Sequence, residues 1–310
     1  MYHTQARMFL GAVAVNATVI YHANCCDGFG AAWAFHHTVK CYQDVDYIAM
    51  NYGEVPDPAR YADRDVFILD FSFPEKELRE IAANAAHTVL LDHHKTAIEA
   101  LTPVQSDIPN CTIILDTTRS GAMITWNFFS QEDAPTLIEY IQDRDLWKHE
   151  KPKTKEINAL IAMTDKTFAA YDTLHTSLEF GQFYQCAIAG ELLLKQYDRM
   201  VQGIVESTAR PFSISGYEVL VCNCPGNFAS DVGNVLAQRT GTFGATYFAA
   251  SDGSHKFSLR SVGAFDVSAI AKQFGGGGHR NAAGFTLAAP IDNAGGSGVT
   301  IWNITPSEEC

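Results

Sequence analysis

Residues 88–94 read TVLLDHH, a short apolar run that ends in one carboxylate and two imidazoles. Similar runs occur at residues 17–22, 65–70 and 112–115, which read ATVIYH, DVFILD and TIIL. Continuous apolar runs of this length are typical of strands that are buried on both faces of a parallel sheet. Helical patterns separate them, for example at residues 74–86, which begin with proline and acidic residues. This alternation predicts an α/β domain with a doubly wound parallel sheet.

Polar side chains end three of these predicted strands. The first strand ends in His22, the second in Asp70, and the third in Asp92, His93 and His94. Because ligands bind outside the carboxyl ends of the strands in open α/β sheets, we expect these side chains to form one site. A carboxylate at the end of a buried strand is costly unless it is paired or bound to a metal ion. We therefore favour a metal-binding role for Asp70 over a helix N-cap, while a solvated strand cap is the alternative for His93 and His94.

The second half of the chain contains a long helical pattern and then a second set of strands and helices. Apolar residues from position 182 to position 208 have the spacing of an amphipathic helix, and Pro211 follows it. Strand and helix patterns continue to residue 289, and after Pro290 the composition shifts to Gly, Ser and Asn. The predicted parts are a metal-binding catalytic domain, a linker helix, a smaller α/β substrate-binding domain and a C-terminal tail, at residues 1–181, 182–210, 211–290 and 291–310.

The composition limits the classes of protein and of partner. Of the 310 residues, 47% are apolar and 18% are charged, as in ordinary globular proteins, and no run of about 18 apolar residues predicts a membrane span. The eight cysteines are scattered and two are adjacent, which fits a reduced compartment, so we expect a cytoplasmic protein with no membrane partner. The formal net charge of −13 argues against binding of long duplex nucleic acid, which favours a basic surface.

Several segments have the composition of phosphate-binding sites. The glycine run at residues 275–278 would let backbone N–H groups approach an anion, with His279 as a further donor, and its alternative is a plain flexible loop. Arg260 and Arg119 offer guanidinium groups, the latter at the predicted start of a helix. Two further candidates, for which an ordinary helix N-cap is an equal alternative, are Asn227 and Ser230.

These motifs have an order that is more specific than any one of them. The motifs between residues 22 and 284 are His22, Asp27-Gly28, Asp70, Asp92-His93-His94, GGGGH at residues 275–279 and AAG at residues 282–284. Together they resemble the DHH/DHHA1 phosphoesterases, and within that superfamily the chain is most similar to the NrnB-type oligoribonucleases. The resemblance implies a parallel, doubly wound DHH domain that a helix joins to a smaller α/β DHHA1 domain.

The resemblance also implies two divalent metal ions, expected to be Mn²⁺, with Asp70 as the bridging ligand. It assigns Asp27 and His93 to the second ion, together with an aspartate late in the first domain. For that aspartate we prefer Asp143 to Asp145, because an aromatic residue recurs four positions after the ligand in the family and Asp143 has a tryptophan there.

The sequence departs from the family in the ligands of the first ion. The resemblance assigns His22 and Asp70 to it, but Cys25 occupies a position where an aspartate is usual. A thiolate favours zinc over manganese, so this site is expected to be weak, to hold a different ion or to fill only with substrate. The catalytic residues implied are Asp70, His93 and His94, of which His94 contacts the substrate phosphate. The substrate contacts implied for the second domain are Arg260, Ser261, Gly276, Gly277, Gly278 and His279.

The implied reaction is hydrolysis of phosphodiester bonds by two-metal activation of water. The small second domain and the acidic net charge favour short substrates, namely RNA oligomers or linear dinucleotides that are trimmed to mononucleotides. The alternatives are a cyclic nucleotide phosphodiesterase and a polyphosphate or pyrophosphate phosphohydrolase, for which the second domain has few Lys and Arg. A non-catalytic nucleotide-binding module is disfavoured, because it would not need the full set of acidic ligands. Whether two copies form a homodimer stays open.

Overall fold

The computed structural model of the chain describes residues 16–287 and 302–304. The chain divides into two compact units, with the division between residues 194 and 195. The predicted tail at residues 291–310 lies outside the described residues, except for the strand at 302–304. The domain boundaries predicted from sequence, after residues 181, 210 and 290, stay a prediction.

The first unit is built on a five-stranded sheet in which every neighbouring pair is parallel. The strand order is β2-β1-β3-β4-β5. The bounds are β1 Asn16–His22, β2 Asp44–Met50, β3 Asp65–Leu69, β4 His87–Asp92 and β5 Cys111–Leu115. The predicted α/β class with a parallel sheet in the first half is therefore confirmed.

Apolar residues cover both faces of this sheet, because alternate residues of each strand point to opposite sides. Val19, Phe67 and Val89 belong to one buried cluster, whereas Ile20 and Ile68 belong to another. Helices contribute further residues to both clusters. Their bounds are α1 Cys26–Thr38, α2 Glu75–Asn84, α3 Lys95–Leu101, α4 Gly121–Phe129, α5 Thr136–Asp145, α6 Thr154–Met163 and α7 Phe168–Glu179. The sheet is thus buried on both faces, as its continuous apolar strands predict.

A long helix, α8, spans Phe183–Thr208, and the division between the two units falls within it. This helix agrees with the amphipathic spacing predicted from residue 182 to residue 208. Among the described helices, none is both long and apolar enough to cross a membrane.

The second unit contains a seven-stranded mixed sheet in the order β10-β11-β9-β8-β7-β6-β12. The strands are β6 Arg210–Ile214, β7 Tyr217–Asn223, β8 Phe243–Ala249, β9 His255–Ser261, β10 Gly277–His279, β11 Ala282–Leu287 and β12 Trp302–Ile304. The described part of this unit also contains the helices α9 Ala229–Thr240 and α10 Val267–Gln273, besides the C-terminal part of α8. The predicted second α/β domain is confirmed as a fold. Pro211 lies within β6, outside the three residues of that strand that pair with β12.

Candidate metal centre

The carboxyl ends of three adjacent strands of the first unit bring a cluster of polar side chains together. Strand β1 ends at His22, Asp70 follows β3 directly, and His93 follows β4, with β3 between the other two in the sheet. The start of α1 and the end of α5 add further ligands. Three groups have ligand atoms that all lie within 4.8 Å of one another, namely His22-Cys25-Asp70, Asp70-His93-His94 and Asp27-His93-Asp145.

Asp70 belongs to two of these groups, and His93 belongs both to one of them and to the third. The Asp70 side chain is only 1% exposed, and neither carboxylate oxygen accepts a hydrogen bond of normal geometry from the described residues. The Nε2 atom of His93 lies 3.1 Å from Oδ1, and the Nδ1 atom of His22 lies 3.6 Å from Oδ2. A buried carboxylate without aligned donors is costly, whereas a bound cation would satisfy it. Asp70 also adopts a left-handed backbone conformation with φ 53°, which few residues other than glycine adopt, although aspartate is among those that do so more often.

The charges around Asp70 affect several pKa values. Burial alone would raise the pKa of Asp70, but His22 and His93 outweigh burial, so this pKa lies below its usual value. The same contact with Asp70, helped by Cys25, raises the pKa of His22 to about 10. Imidazole, thiolate and carboxylate are all ligands of divalent transition metals. The group around His22 and Cys25 therefore fits a cation.

The second group contains two carboxylates that face one imidazole. The Nε2 atom of His93 lies 3.6 Å from Oδ2 of Asp27 and 3.5 Å from Oδ2 of Asp145. Burial raises the pKa of Asp27 well above its usual value, and the charges of Asp70 and Asp145 raise it further. Burial also raises the pKa of Asp145, against the opposing effect of His93. Crowded acids of this kind are stabilised by a cation between them, so this group also fits a divalent metal.

The first turn of α4 holds Asp27 in place. The backbone N–H of Gly121 donates to Oδ2 of Asp27 at 2.6 Å, and that of Ala122 donates to Oδ1 at 3.0 Å. A Cβ atom at Gly121 would lie 2.4 Å from the Cβ atom of Asp70. The helix can therefore approach both carboxylates only because this position is glycine.

Asp143 does not lie in the cluster, and the preference for it over Asp145 needs correction. Its carboxylate accepts hydrogen bonds from the backbone N–H of Glu150 at 3.0 Å and of Lys151 at 3.4 Å, and from the hydroxyl of Thr154 at 2.6 Å. Residues two apart on an α-helix differ by about 200° around its axis, because each residue turns it by about 100°. The two aspartates at the end of α5 thus face different sides, and Asp145, the alternative, reaches His93.

Asp92 orients the two histidines that follow it. Its Oδ1 atom accepts from the backbone N–H of His93 at 2.7 Å and of His94 at 3.1 Å, and lies 2.7 Å from Nδ1 of His94. Its Oδ2 atom accepts from the hydroxyl of Ser72. Asp92 is fully buried and belongs to none of the three ligand groups. From sequence, Asp92 could have been a metal ligand together with His93 and His94. Its hydrogen bonds instead show that it positions these two histidines.

Arg119, a predicted phosphate contact, has hydrogen bonds to its own surroundings. Its Nε atom donates to Oδ2 of Asp116 at 2.7 Å and its Nη1 atom donates to Oδ1 of Asn127 at 3.1 Å. None of the hydrogen bonds recorded for its guanidinium among the described residues reaches the metal cluster.

In the second unit, two of the predicted substrate contacts lie together. Nη2 of Arg260 donates to the hydroxyl of Ser230 at 2.9 Å, and Nη1 donates to the backbone carbonyl of Leu259. Ser261 has a structural role instead, because its buried hydroxyl donates to the carbonyl of Phe265 at 2.8 Å and accepts from Asn281 at 2.9 Å. Asn227 is a further candidate. Among the described residues its backbone carbonyl accepts a hydrogen bond from the hydroxyl of Tyr197, and its side chain forms none.

The second half of the glycine run, Gly277 and Gly278, lies in a strand rather than in a plain flexible loop. Strand β10 pairs antiparallel with β11 and brings the exposed His279 to the edge of the sheet. A Cβ atom at Gly276 would lie 2.1 Å from the carbonyl oxygen of Gly284, and one at Gly278 would lie 2.5 Å from that of Ala282. Close packing of the two strands thus explains these two glycines, whereas Gly277 has open space at the Cβ position.

Comparison with known proteins gives matches to the second unit and to the whole chain. Residues 216–294 match the family model of the DHHA1 domain. The uncharacterized protein R106 of Acanthamoeba polyphaga mimivirus is 32% identical in a 296-residue alignment that covers 87% of this chain and 67% of that protein.

Among solved structures, the pGpG-specific phosphodiesterase PggH from Vibrio cholerae is 12% identical with a TM-score of 0.50, covering 88% of this chain and 93% of that one. This likeness concerns the fold alone. RecJ from Thermus thermophilus, in complex with Mn²⁺, is 13% identical with a TM-score of 0.46, covering 92% of this chain and 52% of RecJ.

Proposed function

We propose that this chain, which belongs to the DHH/DHHA1 superfamily of phosphoesterases, hydrolyses short oligonucleotides or linear dinucleotides to mononucleotides in a metal-dependent reaction. One observation carries the proposal, namely the buried carboxylate of Asp70, whose two oxygens lack hydrogen bonds from the described residues and face two separate groups of metal-ligand atoms. A structural aspartate would be paired, as Asp143 is.

We assign two divalent ions to this cluster. His22, Cys25 and Asp70 would hold the first ion, and Asp27, His93 and Asp145 would hold the second with Asp70 shared between them. The second site contains only oxygen and nitrogen donors, which suits Mn²⁺, whereas the thiolate makes the first site softer. When bound, two such ions lower the pKa of a water molecule and stabilise negative charge on the phosphate.

The protein's own residues hold this arrangement rigid and orient the substrate. Because Nδ1 of His94 faces the acceptor-only carboxylate of Asp92, Nδ1 carries a proton, and Nε2 donates a hydrogen bond to a phosphate oxygen when the ring is the doubly protonated imidazolium. The N–H groups at the start of α4 fix Asp27, so the carboxylates do not have to rearrange when a phosphate binds. In the second unit we assign phosphate contacts to Arg260, with Ser230 beside it, and to the exposed His279.

The proposed substrate class rests on charge and on one comparison. A net charge of −13 disfavours long polyanions, so short nucleotide chains suit the protein better. The Vibrio cholerae protein with a similar fold is described as specific for the linear dinucleotide pGpG. We extend that substrate class to this chain as part of the proposal.

The proposal is tested with a substrate panel in the presence of Mn²⁺. The panel contains linear dinucleotides, RNA and DNA of two to five residues, cyclic mononucleotides and polyphosphate. We expect release of mononucleotides from the dinucleotides and short oligomers, and none from Asp70→Ala. The matched control is Asp133→Ala, which removes an exposed aspartate of the same unit and should leave turnover unchanged. Full activity of Asp70→Ala would contradict the metal assignment, and turnover of polyphosphate alone would contradict the substrate assignment.

A further inference from the structure

The first unit contains a cavity of about 320 Å³, which lies at the lower end of the volume range of small-molecule pockets. Three segments form its walls: the loop after β2, the residues after Asp70 and helix α3. Most of its lining is apolar. Its lining includes Tyr52, Phe71, Ser72 and Glu77.

Tyr52 connects this cavity to the metal centre. Its ring centroid lies 5.2 Å from that of His22, 5.9 Å from that of His94 and 4.9 Å from that of Phe71. The Tyr52 side chain nevertheless remains 51% exposed. An exposed aromatic ring beside a phosphate-binding site is a surface on which a nucleobase can stack.

The lining contains the polar residues Glu54, Thr96 and Glu77, and of these three only Glu77 has a buried side-chain oxygen without a hydrogen-bond partner among the described residues. Its Oε2 atom is buried and accepts no hydrogen bond from the described residues. The hydroxyl of Ser72, another polar group of the lining, already donates a hydrogen bond to Asp92. A buried acceptor without a donor costs free energy, so this oxygen calls for a ligand that carries N–H groups.

We propose that the cavity binds the nucleobase next to the scissile phosphate and that it prefers guanine, an inference that rests on the proposed function. Guanine has two adjacent N–H donors on one edge, which match the two oxygens of a carboxylate. Adenine and cytosine carry a single amino group on the equivalent edge, and uracil carries a single imide N–H. The phosphate then lies at the metals, the base stacks on Tyr52, and Glu77 accepts from N1–H and from the 2-amino group.

The test compares the linear dinucleotides GpG and IpI, because inosine lacks only the 2-amino group of guanosine. We expect the wild-type protein to have a kcat/KM for GpG about tenfold above that for IpI. Glu77→Gln should reduce this ratio to about one by raising KM for GpG, because an amide offers one acceptor in place of two. Tyr52→Ala should raise KM for both substrates. The matched control is Glu80→Gln, which changes an exposed carboxylate on the same helix and should preserve the ratio.

Binding of GMP and IMP to the wild-type protein, measured by calorimetry with Mn²⁺, separates this inference from the proposed function. Equal affinities, or a guanine preference that Glu77→Gln retains, would overturn the assignment of the cavity even if both dinucleotides are hydrolysed. If neither dinucleotide is hydrolysed but GMP still binds more tightly than IMP in a Glu77-dependent manner, the proposed reaction fails and the base site stands.

Discussion

Asp143 and Asp145 are separated by a single residue, yet the structure gives them different tasks. The first accepts three hydrogen bonds from the segment that follows α5, and the second lies beside His93. Sequence could not decide between them, because both are aspartates late in the first domain and they lie only two positions apart. The choice depends on which side of the helix faces the sheet, and no local pattern records that orientation.

This division of roles predicts opposite effects for two matched substitutions. Asp145→Asn should lower Mn²⁺ affinity and turnover by at least about 100-fold, because a metal ligand is lost, with little change in melting temperature. Asp143→Asn should lower the free energy of unfolding by about 1–3 kcal/mol, because it weakens buried hydrogen bonds. Calorimetric metal titration and thermal denaturation of both variants check this. Loss of metal binding in Asp143→Asn at unchanged stability would contradict the assignment.

Cys25 predicts a spectroscopic property. Its sulfur lies with a nitrogen of His22 and an oxygen of Asp70 in one potential ligand group. Protein loaded with Co²⁺ should therefore show a sulfur-to-cobalt charge-transfer band in the near ultraviolet. Cys25→Asp should lose this band and bind Mn²⁺ more tightly at the first site, because a carboxylate is a harder ligand. Cys26→Ala, which changes the adjacent cysteine outside the ligand groups, is the control and should keep the band. An unchanged spectrum in Cys25→Asp would exclude the thiolate ligand.

At the scale of elements, the buried strands of the first unit could be predicted and the edge strand β2 could not. Strands β1, β3, β4 and β5 have continuous apolar sequences because helices cover both faces of the sheet. Strand β2 has no such signal, because its sequence DVDYIAM is interrupted by two aspartates and most of its residues are half-exposed. Strand β10 has none either, because glycine has no strand propensity of its own, and its pairing with β11 depends on tertiary packing.

The start of α4 is the element on which the metal centre depends most. Gly121→Ala should reduce turnover by about 100-fold, since its methyl group would displace the helix from Asp70 and move the N–H groups that hold Asp27. Gly203→Ala, in the exposed part of α8 where the new methyl group meets no other atom, is the control. It should leave turnover unchanged and stabilise the protein by about 0.5–1 kcal/mol. Kinetics and thermal denaturation separate the two outcomes. Equal activity of both variants would show that α4 does not position the carboxylates.

At the scale of the whole molecule, the sequence predicted the α/β class of both units and the convergence of strand ends on one site. It could not predict that Asp92 would orient the two histidines rather than coordinate a metal ion, because a carboxylate at the end of a strand has the same sequence pattern in either role. Nor could it predict that Ser261 forms structural hydrogen bonds, or that Gly276 and Gly278 allow two segments of backbone to pack closely. Those roles arise from contacts between residues that are distant in sequence.

The crowding of carboxylates in the first unit should make stability depend on metal. At a free Mn²⁺ concentration of about 100 times Kd, one occupied site adds about 2.7 kcal/mol to the free energy of unfolding. The melting temperature should therefore rise when Mn²⁺ replaces EDTA, and Asp70→Asn should abolish most of the rise. Calorimetry with and without metal measures this. An identical rise in Asp70→Asn would place the ion elsewhere.

The most direct test of a metal-dependent phosphodiesterase centred on Asp70 is the rate of dinucleotide hydrolysis by metal-free protein as Mn²⁺ is added. We predict no turnover in EDTA, turnover that rises with Mn²⁺ and saturates at two ions per chain, and none for Asp70→Asn at any concentration. Hydrolysis by the metal-free protein, or wild-type rates in Asp70→Asn, would contradict the account.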